Sequence, residues 1–477
     1  MAIHQSPTMN AKGVKIMNQI KIIRVGLGVI VVCLILLGVL FKSVSGRGAV
    51  QARSEGTSNG EVFLPMVMKP FPFTTSRVSV TSNGTQSTSW SVNSSISADG
   101  RYVAFQSYAS NLVSDDTNGF EDVFVHDRQT RQTSRISIAS DGTQGNGWSG
   151  YPSISGDGRY VAFNSYASNL VSSDTNGEYD IFVHDRQTGQ TSRVSVASDG
   201  TQGNGGSYNP SISVDGRYVA FESYAYNLVS STNYSLSIYV HDRQLGQTSR
   251  VSVASNGTQA NDASRDPSIS ANGRYVAFQS SASNLVSGDT NYIADVFVHD
   301  RQTGQTSRVS IASDGMEGNS ESHVPSISAD GRYVAFYSSA SNLVSGDTNS
   351  TLDIFVHDRQ THQTNRVSVA SDGLQGHGYS VFPVISADGR YIAFESQAYN
   401  LVSDDTNYRD DIFVHDRQTG QTSRVSVAFN GTQGDSDSLD PAISADGRYV
   451  AFESYASNLV NGDTNGQWDV FVHDRGE

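Results

Sequence analysis

Pro152-Ser153-Ile154-Ser155-Gly156-Asp157-Gly158-Arg159-Tyr160-Val161-Ala162-Phe163 decides the fold, because the chain repeats this phrase seven times. Its central Asp or Asn falls at Asp99, Asp157, Asp215, Asn272, Asp330, Asp388 and Asp446, in steps of 58 residues with a single step of 57. A fixed period of this size marks a repeat architecture, in which each unit buries its apolar surface against its neighbours.

Around the phrase, each repeat holds four strand-like runs. In the second copy they are Pro152-Ser153-Ile154-Ser155, then Arg159-Tyr160-Val161-Ala162-Phe163, then Asp180-Ile181-Phe182-Val183-His184, then Ser192-Arg193-Val194-Ser195-Val196. Asp157-Gly158 and Thr188-Gly189 separate the first from the second and the third from the fourth, the composition of tight hairpin turns. The second run is apolar on both faces, with Tyr160 and Ala162 on one side and Val161 and Phe163 on the other. Such a strand belongs in a sheet covered on both sides. Four-stranded sheets stacked about an axis meet that need, so the predicted fold is an all-β, seven-bladed β-propeller. With the runs named a to d, the first d run (residues 76–80) precedes the first a run, and the last blade (441–475) has no d run after it. Residues 76–80 are therefore expected to supply the outer strand of the last blade, which removes an unpaired edge.

The net charge of −15 argues against nucleic acid as a partner. The single cysteine, Cys33, lies outside the repeats, so the propeller has neither disulfides nor a cysteine metal site. Residues 25–41 are uncharged, preceded by Lys12, Lys15, Lys21 and Arg24 and followed by Lys42 and Arg47. This charge bias places the N-terminus in the cytoplasm and the propeller outside. The expected organisation is a basic cytoplasmic segment at 1–24 (with Met17 as an alternative start), a hydrophobic helix at 25–41, a linker and Pro-rich strap at 42–75, and the propeller at 76–475. The helix is read as a single-pass anchor in the cell membrane, or as the core of a signal cleaved after Gly46 or Ala52, which would make the protein secreted.

The pairing of Pro-Ser-Ile-Ser-x-Asp-Gly-Arg-Tyr-Val-Ala-Phe with Asp-Ile-Phe-Val-His-Asp-Arg-Gln-Thr-Gly resembles the TolB-like propeller repeat, a relative of WD repeats, in every blade. The resemblance implies the fold and no activity. Propellers also cap prolyl-oligopeptidase-like peptidases, which need a Gly-x-Ser-x-Gly elbow. The nearest string, Gly147-Trp148-Ser149-Gly150-Tyr151, fails at its last position.

Three features invite a functional reading. The first is Asp-Thr-Asn-x-x-x-Asp between the b and c runs of six blades: Asp116/Asn118/Asp122, Asp174/Asn176/Asp180, Asp289/Asn291/Asp295, Asp347/Asn349/Asp353, Asp405/Asn407/Asp411 and Asp463/Asn465/Asp469. Spaced oxygen ligands suit Ca²⁺. Asx turns, with the last Asp paired to an Arg, explain the same pattern and are preferred. The second is one histidine per c run, from His126 to His473, read as packing. The third is Trp90, Trp148 and Trp468, in the long d–a and b–c loops of neighbouring blades 7, 1 and 2, with Phe120, Tyr151 and Tyr179 near them in sequence. Exposed aromatic rings suit a protein or carbohydrate partner. The resulting expectation is a non-catalytic binding or scaffold module without a cofactor, meeting a protein or glycan through its long-loop face and the membrane through residues 25–41. The rival reading is a carbohydrate-active hydrolase or lyase with its site at the central channel, where Asp435, Asp437 and Asp440 are the local acidic cluster.

Overall fold

The computed structural model describes residues 74–230 and 234–476. The expected basic segment 1–24, the helix 25–41 and the strap up to residue 73 lie outside them. Among the described residues no helix is long and apolar enough to cross a membrane.

The described chain forms seven four-stranded antiparallel sheets. In blade 2 the strands are a (Ser149–Ile154), b (Tyr160–Ser165), c (Asp180–Asp185) and d (Gln190–Arg193), hydrogen-bonded in that order. The a strands of all seven blades face one central cavity, so a is innermost and d forms the rim. The a–b and c–d turns are tight and share one face; the long b–c and d–a loops share the other. The core lies between sheets. Val103, Phe105 and Phe124 of blade 1 pack with Ala451, Val470 and Val472 of blade 7, and each other joint repeats the pattern.

The residues common to all repeats build one joint. Gly158 has φ +73°, and a Cβ there would stand 2.1 Å from the ring of Tyr102 in the preceding blade, so only glycine fits. Tyr102 is held between two guanidinium groups, Arg101 of its own blade at 4.7 Å and Arg186 of the next at 4.4 Å. Arg101 in turn makes a bidentate pair with Asp127, at 2.9 and 2.7 Å. Asp-Gly-Arg-Tyr and His-Asp-Arg are thus two halves of one inter-blade contact.

On the tight-turn face the blades are also joined by a cycle of backbone bonds. Ala98 N donates to Gly156 O (3.0 Å), Gly156 N to Val214 O (2.9 Å), and so on through residues 271, 329 and 387 until Ala445 N returns to Ala98 O (3.0 Å).

The seventh sheet takes its outer strand from Thr74–Arg77, antiparallel to the c strand Asp469–Asp474 in the register Thr74↔Asp474 to Arg77↔Phe471. This strand starts and ends earlier than the predicted residues 76–80. Val78 still donates to Val470 O at 2.8 Å and is buried. Val80 is only half-buried, because the backbone has already turned to bridge Gln86.

Candidate functional site

The long-loop face surrounds a central well, and the shape of the well is set by a bulge in every a strand. In blade 3 Tyr208 pairs with Glu222 and Ser211 with Ala220, leaving one residue extra on the a strand. The first bulged residue is left-handed in all seven blades: Asn93, Tyr151, Asn209, Asp266, Val324, Phe382 and Asp440 have φ of 44–52°. These residues line the well, a cavity of about 280 Å³, with the prolines that follow six of them.

Side chains of the preceding blade hold the bulges. Tyr151 N donates to Gln106 Oε1 (3.0 Å), Asp266 N to Glu222 Oε2 (3.0 Å), Val324 N to Gln279 Oε1 (3.1 Å) and Asn93 N to Glu453 Oε2 (2.7 Å). Glu395 accepts from Asp440 N in the same way. Two joints depart from the pattern. Asn164 is one methylene shorter than Gln106, and its Oδ1 is buried without a partner among the described residues. Tyr337 instead meets the ring of Phe382 edge-on at 6.0 Å.

Burial raises the proton affinity of the acids around the well. Glu395 and Glu453 are pushed up to about 8, first by burial and then by the nearby charge of Asp440. Glu222 is pushed up to about 7 by burial, against the opposing bond from Asp266 N. Burial likewise raises Asp266 and Asp440. Carboxyl groups that hold protons near neutral pH both donate and accept hydrogen bonds.

The three tryptophans lie on the rim of this face, each against a neighbouring ring. Trp468 meets Tyr455 at 5.7 Å, Trp90 stacks on Tyr108 at 6.2 Å, and Trp148 meets Phe120 edge-on at 6.0 Å. Trp90 and Trp468 are half-buried, whereas Trp148 is 48% exposed. The loops run together: Ser91 N donates to Trp468 O, and Tyr166 N to Trp148 O, both at 2.8 Å. From Tyr166 the aromatic arc continues through Tyr179 (5.3 Å) to Tyr208 (5.5 Å). Sequence reading missed Tyr108, Tyr166, Tyr224 and Tyr455, all exposed at the end of the b strand. Their signal is Ser-Tyr-Ala in blades 7, 1, 2 and 3, where blades 4 and 5 have Ser-Ser-Ala and blade 6 has Ser-Gln-Ala.

The acidic trio of blade 7 is divided among three tasks. Asp435 accepts from Ser457 N at 2.8 Å and braces a loop. Asp437 pairs with Arg409 at 3.6 Å, beside Asp410, which accepts from Tyr379 Oη at 2.6 Å. Asp440 alone faces the well.

In the Asp-Thr-Asn loops both carboxylates converge on the arginine of a d strand. Arg135 lies 3.5 Å from Asp116 and 3.7 Å from Asp122, and Arg77 lies 3.1 Å from Asp463 and 3.2 Å from Asp469. Arg193 meets Asp174 and Asp180 in the same way, and Arg308 meets Asp289 and Asp295. Arg366 meets Asp347 and Asp353, and Arg424 meets Asp405 and Asp411.

The asparagines of these loops are turned to the backbone and the amide side of each is spent on a donor bond. Asn118 accepts from Phe120 N at 3.0 Å, an Asx turn, while its Nδ2 donates to Asp122 at 2.9 Å. Asn176 accepts from Glu178 N at 3.0 Å and donates to Asp180 at 3.1 Å. Asn291 accepts from Ile293 N at 3.2 Å and donates to Asp295 at 3.4 Å. Asn349 accepts from Thr351 N at 3.3 Å and donates to Asp353 at 2.9 Å. Asn465 accepts from Gln467 N at 3.0 Å and donates to Asp469 at 2.8 Å. Asn407 accepts from Arg409 N at 3.1 Å, and its Nδ2 goes to Gly434 O at 2.8 Å. Asn118, Asn176, Asn291, Asn349, Asn407 and Asn465 thus have the geometry of Asx turns. Each of these side-chain oxygens accepts a backbone N–H, and one guanidinium lies within 3.7 Å of both carboxylates of its loop, as Arg135 does for Asp116 and Asp122. Among the described residues no three His, Cys, Asp or Glu side chains are grouped as a metal would require.

The c-strand histidines are buried, with Nδ1 against a d-strand threonine hydroxyl, as in His126 and Thr133 at 2.9 Å. Burial pulls them down to about 4, so they are neutral at pH 7.

No family model matches the chain, and no curated protein matches it. Solved structures do. An oligogalacturonate lyase in complex with manganese is 12% identical, covering 84% of this chain and 92% of its own, with a TM-score of 0.51. The oligogalacturonate lyase of Vibrio parahaemolyticus is also 12% identical, covering 84% and 93%, with a TM-score of 0.50. TolB from Acinetobacter baumannii is 15% identical over 79% of this chain and 81% of its own, with a TM-score of 0.37. At these identities the likeness to the lyases is one of fold.

Proposed function

We propose that the chain is an exported, membrane-tethered binding module whose long-loop face takes a carbohydrate. The observation that carries this is the set of paired aromatic rings from Tyr455 and Trp468 through Trp90, Tyr108, Phe120 and Trp148 to Tyr166, Tyr179 and Tyr208, on the face whose central well carries Asn93, Asn209, Asp266 and Asp440 among its prolines. Flat rings give apolar area to sugar faces, and the well supplies donors and acceptors for hydroxyl groups. The arc spans neighbouring blades on a rigid frame, which suits an extended chain more than a single residue. The charge bias around residues 25–41 supports the export and the tether. Thr74 lies opposite Asp474, at the tight-turn end of its blade, so the long-loop face is on the far side of the propeller from the point where the chain enters it. Affinity electrophoresis of the protein in gels cast with neutral, acidic and amino polysaccharides tests the proposal. Retardation by at least one glycan, lost on Trp148→Ala, is the expected result. Unchanged mobility in all of them refutes it.

A second reading, an enzyme acting on a carbohydrate, is favoured by one observation. Glu222, Glu395 and Glu453 carry proton affinities raised into the neutral range beside a central well, as general acids do. The solved lyases of the same fold act, by their names, on oligogalacturonate. Release of reducing ends, or of the ultraviolet absorbance of unsaturated uronate, from a retarded glycan would move the assignment to this reading.

A further inference from the structure

The propeller commits its positive charge to fixed places. No lysine follows Lys69, so its permanent cations are arginines. Each blade carries two of them beside its tight turns. In blade 1 Arg101 pairs with Asp127, and Arg128 donates to Gly100 O. A third arginine on each d strand turns to the b–c loop. On blades 7, 1 and 2, which carry the three tryptophans, these are Arg77, Arg135 and Arg193. Each lies within 3.7 Å of two carboxylates, and its side chain is 10% exposed or less. In blade 3 Arg250 donates to Val229 O and to Tyr239 Oη.

The same arc carries acids. Glu121 stands where blades 1 and 2 meet: its backbone oxygen accepts from Ser149 N at 3.0 Å, and its side chain from the neutral amide of Gln106 at 3.2 Å. Glu178 is exposed in the b–c loop of blade 2, next to Tyr179 in sequence. Neither takes part in an ion pair among the described residues. The well adds Asp266 and Asp440. A carboxyl group that keeps its proton there donates a hydrogen bond but supplies no counter-charge. The other basic side chains of this face lie on blades 4 to 6. Arg265 adjoins Asp266 in sequence, His323 Nε2 lies 3.2 Å from Glu321, Arg409 lies 3.6 Å from Asp437, and His377 meets Tyr399 Oη at 3.0 Å.

We propose, on the carbohydrate reading above, that the glycan taken by this face is one without acidic groups. Neutral and amino sugars are accepted; uronates, sulfated sugars and sialic acids are refused. A carboxylate or sulfate laid against the rings gives up water and finds no cation to replace it. Glu121 and Glu178 add repulsion, which falls off slowly with distance where the surrounding dielectric is below that of water. Hydroxyl and ammonium groups find acceptors in the same two side chains. The aromatic rings attract any sugar face, so the choice among sugars comes from the repulsive element.

The labelled full chain is incubated with an array of immobilised neutral, amino and acidic glycans. Retention confined to neutral or amino glycans is the expected result. Retention of acidic glycans as strong as that of the others overturns the inference and leaves the carbohydrate reading standing. Retention of none refutes that reading and the inference with it. A second experiment removes differences of sugar stereochemistry. The retained glycan is compared in titration with the same glycan after oxidation of its primary alcohols to carboxylates. The oxidised form is expected to bind at least about tenfold more weakly. Glu178→Arg should narrow that gap, with a melting curve that is unmoved because Glu178 is exposed. Equal affinity for the two forms overturns the inference. So does a gap that Glu178→Arg leaves unchanged, since the loss then belongs to the missing hydroxyl groups and not to charge.

Discussion

Tyr239 explains how blade 3 manages without the acidic pair that its siblings use. Ser237 stands where they have Asp, and Arg250 therefore has no carboxylate in that place. The phenylalanine of the other c strands is Tyr239 here; its hydroxyl accepts from Arg250 Nη2 at 3.1 Å and donates to Ala225 O at 3.1 Å. Tyr239→Phe removes both bonds and is expected to cost about 1–3 kcal/mol in a urea titration; an unchanged midpoint would show that the guanidinium is satisfied elsewhere. On the surface, Trp148→Ala is expected to weaken glycan binding about thirtyfold, the equivalent of about 2 kcal/mol for a binding hot spot, with the melting curve unmoved. The tryptophans stand out in the sequence because there are three of them. The exposed tyrosines do not, because Tyr102 and its equivalents are also tyrosines and belong to the joints between blades. Comparing copy with copy, not residue type with residue type, is what separates the two sets.

At the scale of the strand and loop, the Asp-Thr-Asn segments make two opposed predictions checkable on one sample. If the arginine is the cation these loops are built around, adding Ca²⁺ leaves the melting temperature unchanged; a calcium site would instead add about 2.7 kcal/mol per site at a hundredfold excess over Kd. Arg135→Met should then destabilise the protein by about 3–5 kcal/mol, since Asp122 is fully buried and loses its counter-charge. In the a–b turn, Gly158→Ala meets both a left-handed backbone and the Tyr102 ring. Its melting temperature should fall, whereas Gly177→Ala, left-handed but with open space around it, should show the smaller backbone effect alone. Strand existence and order were legible from the alternation of apolar runs with Asp-Gly and Thr-Gly turns. The a-strand bulge was not. Four of its seven residues, Asn93, Asn209, Asp266 and Asp440, are of the types that tolerate a left-handed backbone, but Tyr151, Val324 and Phe382 are not, and the proline that follows six of the seven signals an extended backbone.

For the whole molecule, the seven blades were legible from the repeat count alone, whereas Glu222, Glu395 and Glu453 read only as polar residues in a b strand. Their effect is global. The c-strand histidines, lowered from 6.5 to about 4, bind protons more readily in the unfolded chain, so their contribution is present above pH 6.5 and lost as pH falls toward 4. Glu222, Glu395 and Glu453, raised to about 7, 8 and 8, act in the opposite sense: their contribution is present below about pH 4.5 and lost as pH rises through 7 to 8. Asp122 and Asp411, raised to about 6 and about 7 by burial, join them. The two sets oppose each other between pH 4.5 and 6.5, and above 6.5 only the acids act. Stability is expected to decline from pH 6.5 to 8.5. Glu395→Gln with Glu453→Gln should flatten that decline, each change removing up to about 1.4 kcal/mol per pH unit of slope. Glutamine is tolerated there because Gln106 already does the same work for Tyr151. A decline of the same steepness in the double variant would contradict the assignment.

The pairing of Thr74–Arg77 with Asp469–Asp474 also bears on the order of synthesis. Among the propeller's strands, Thr74–Arg77 leaves the ribosome first and its partner last, with 392 residues from Arg77 to Asp469. Each earlier c strand offers nearly the same edge, but each is followed at once by a d strand of its own, and a short loop closes at less entropic cost than a long one. The first strand therefore finds no lasting place during translation. A nascent chain that stalls before the last blade carries an unpaired strand at one side and an open sheet at the other, the form that proteases and chaperones recognise. The propeller thus audits its own translation: only a polypeptide that has been read through to Asp469–Asp474 can retire its first strand from solvent.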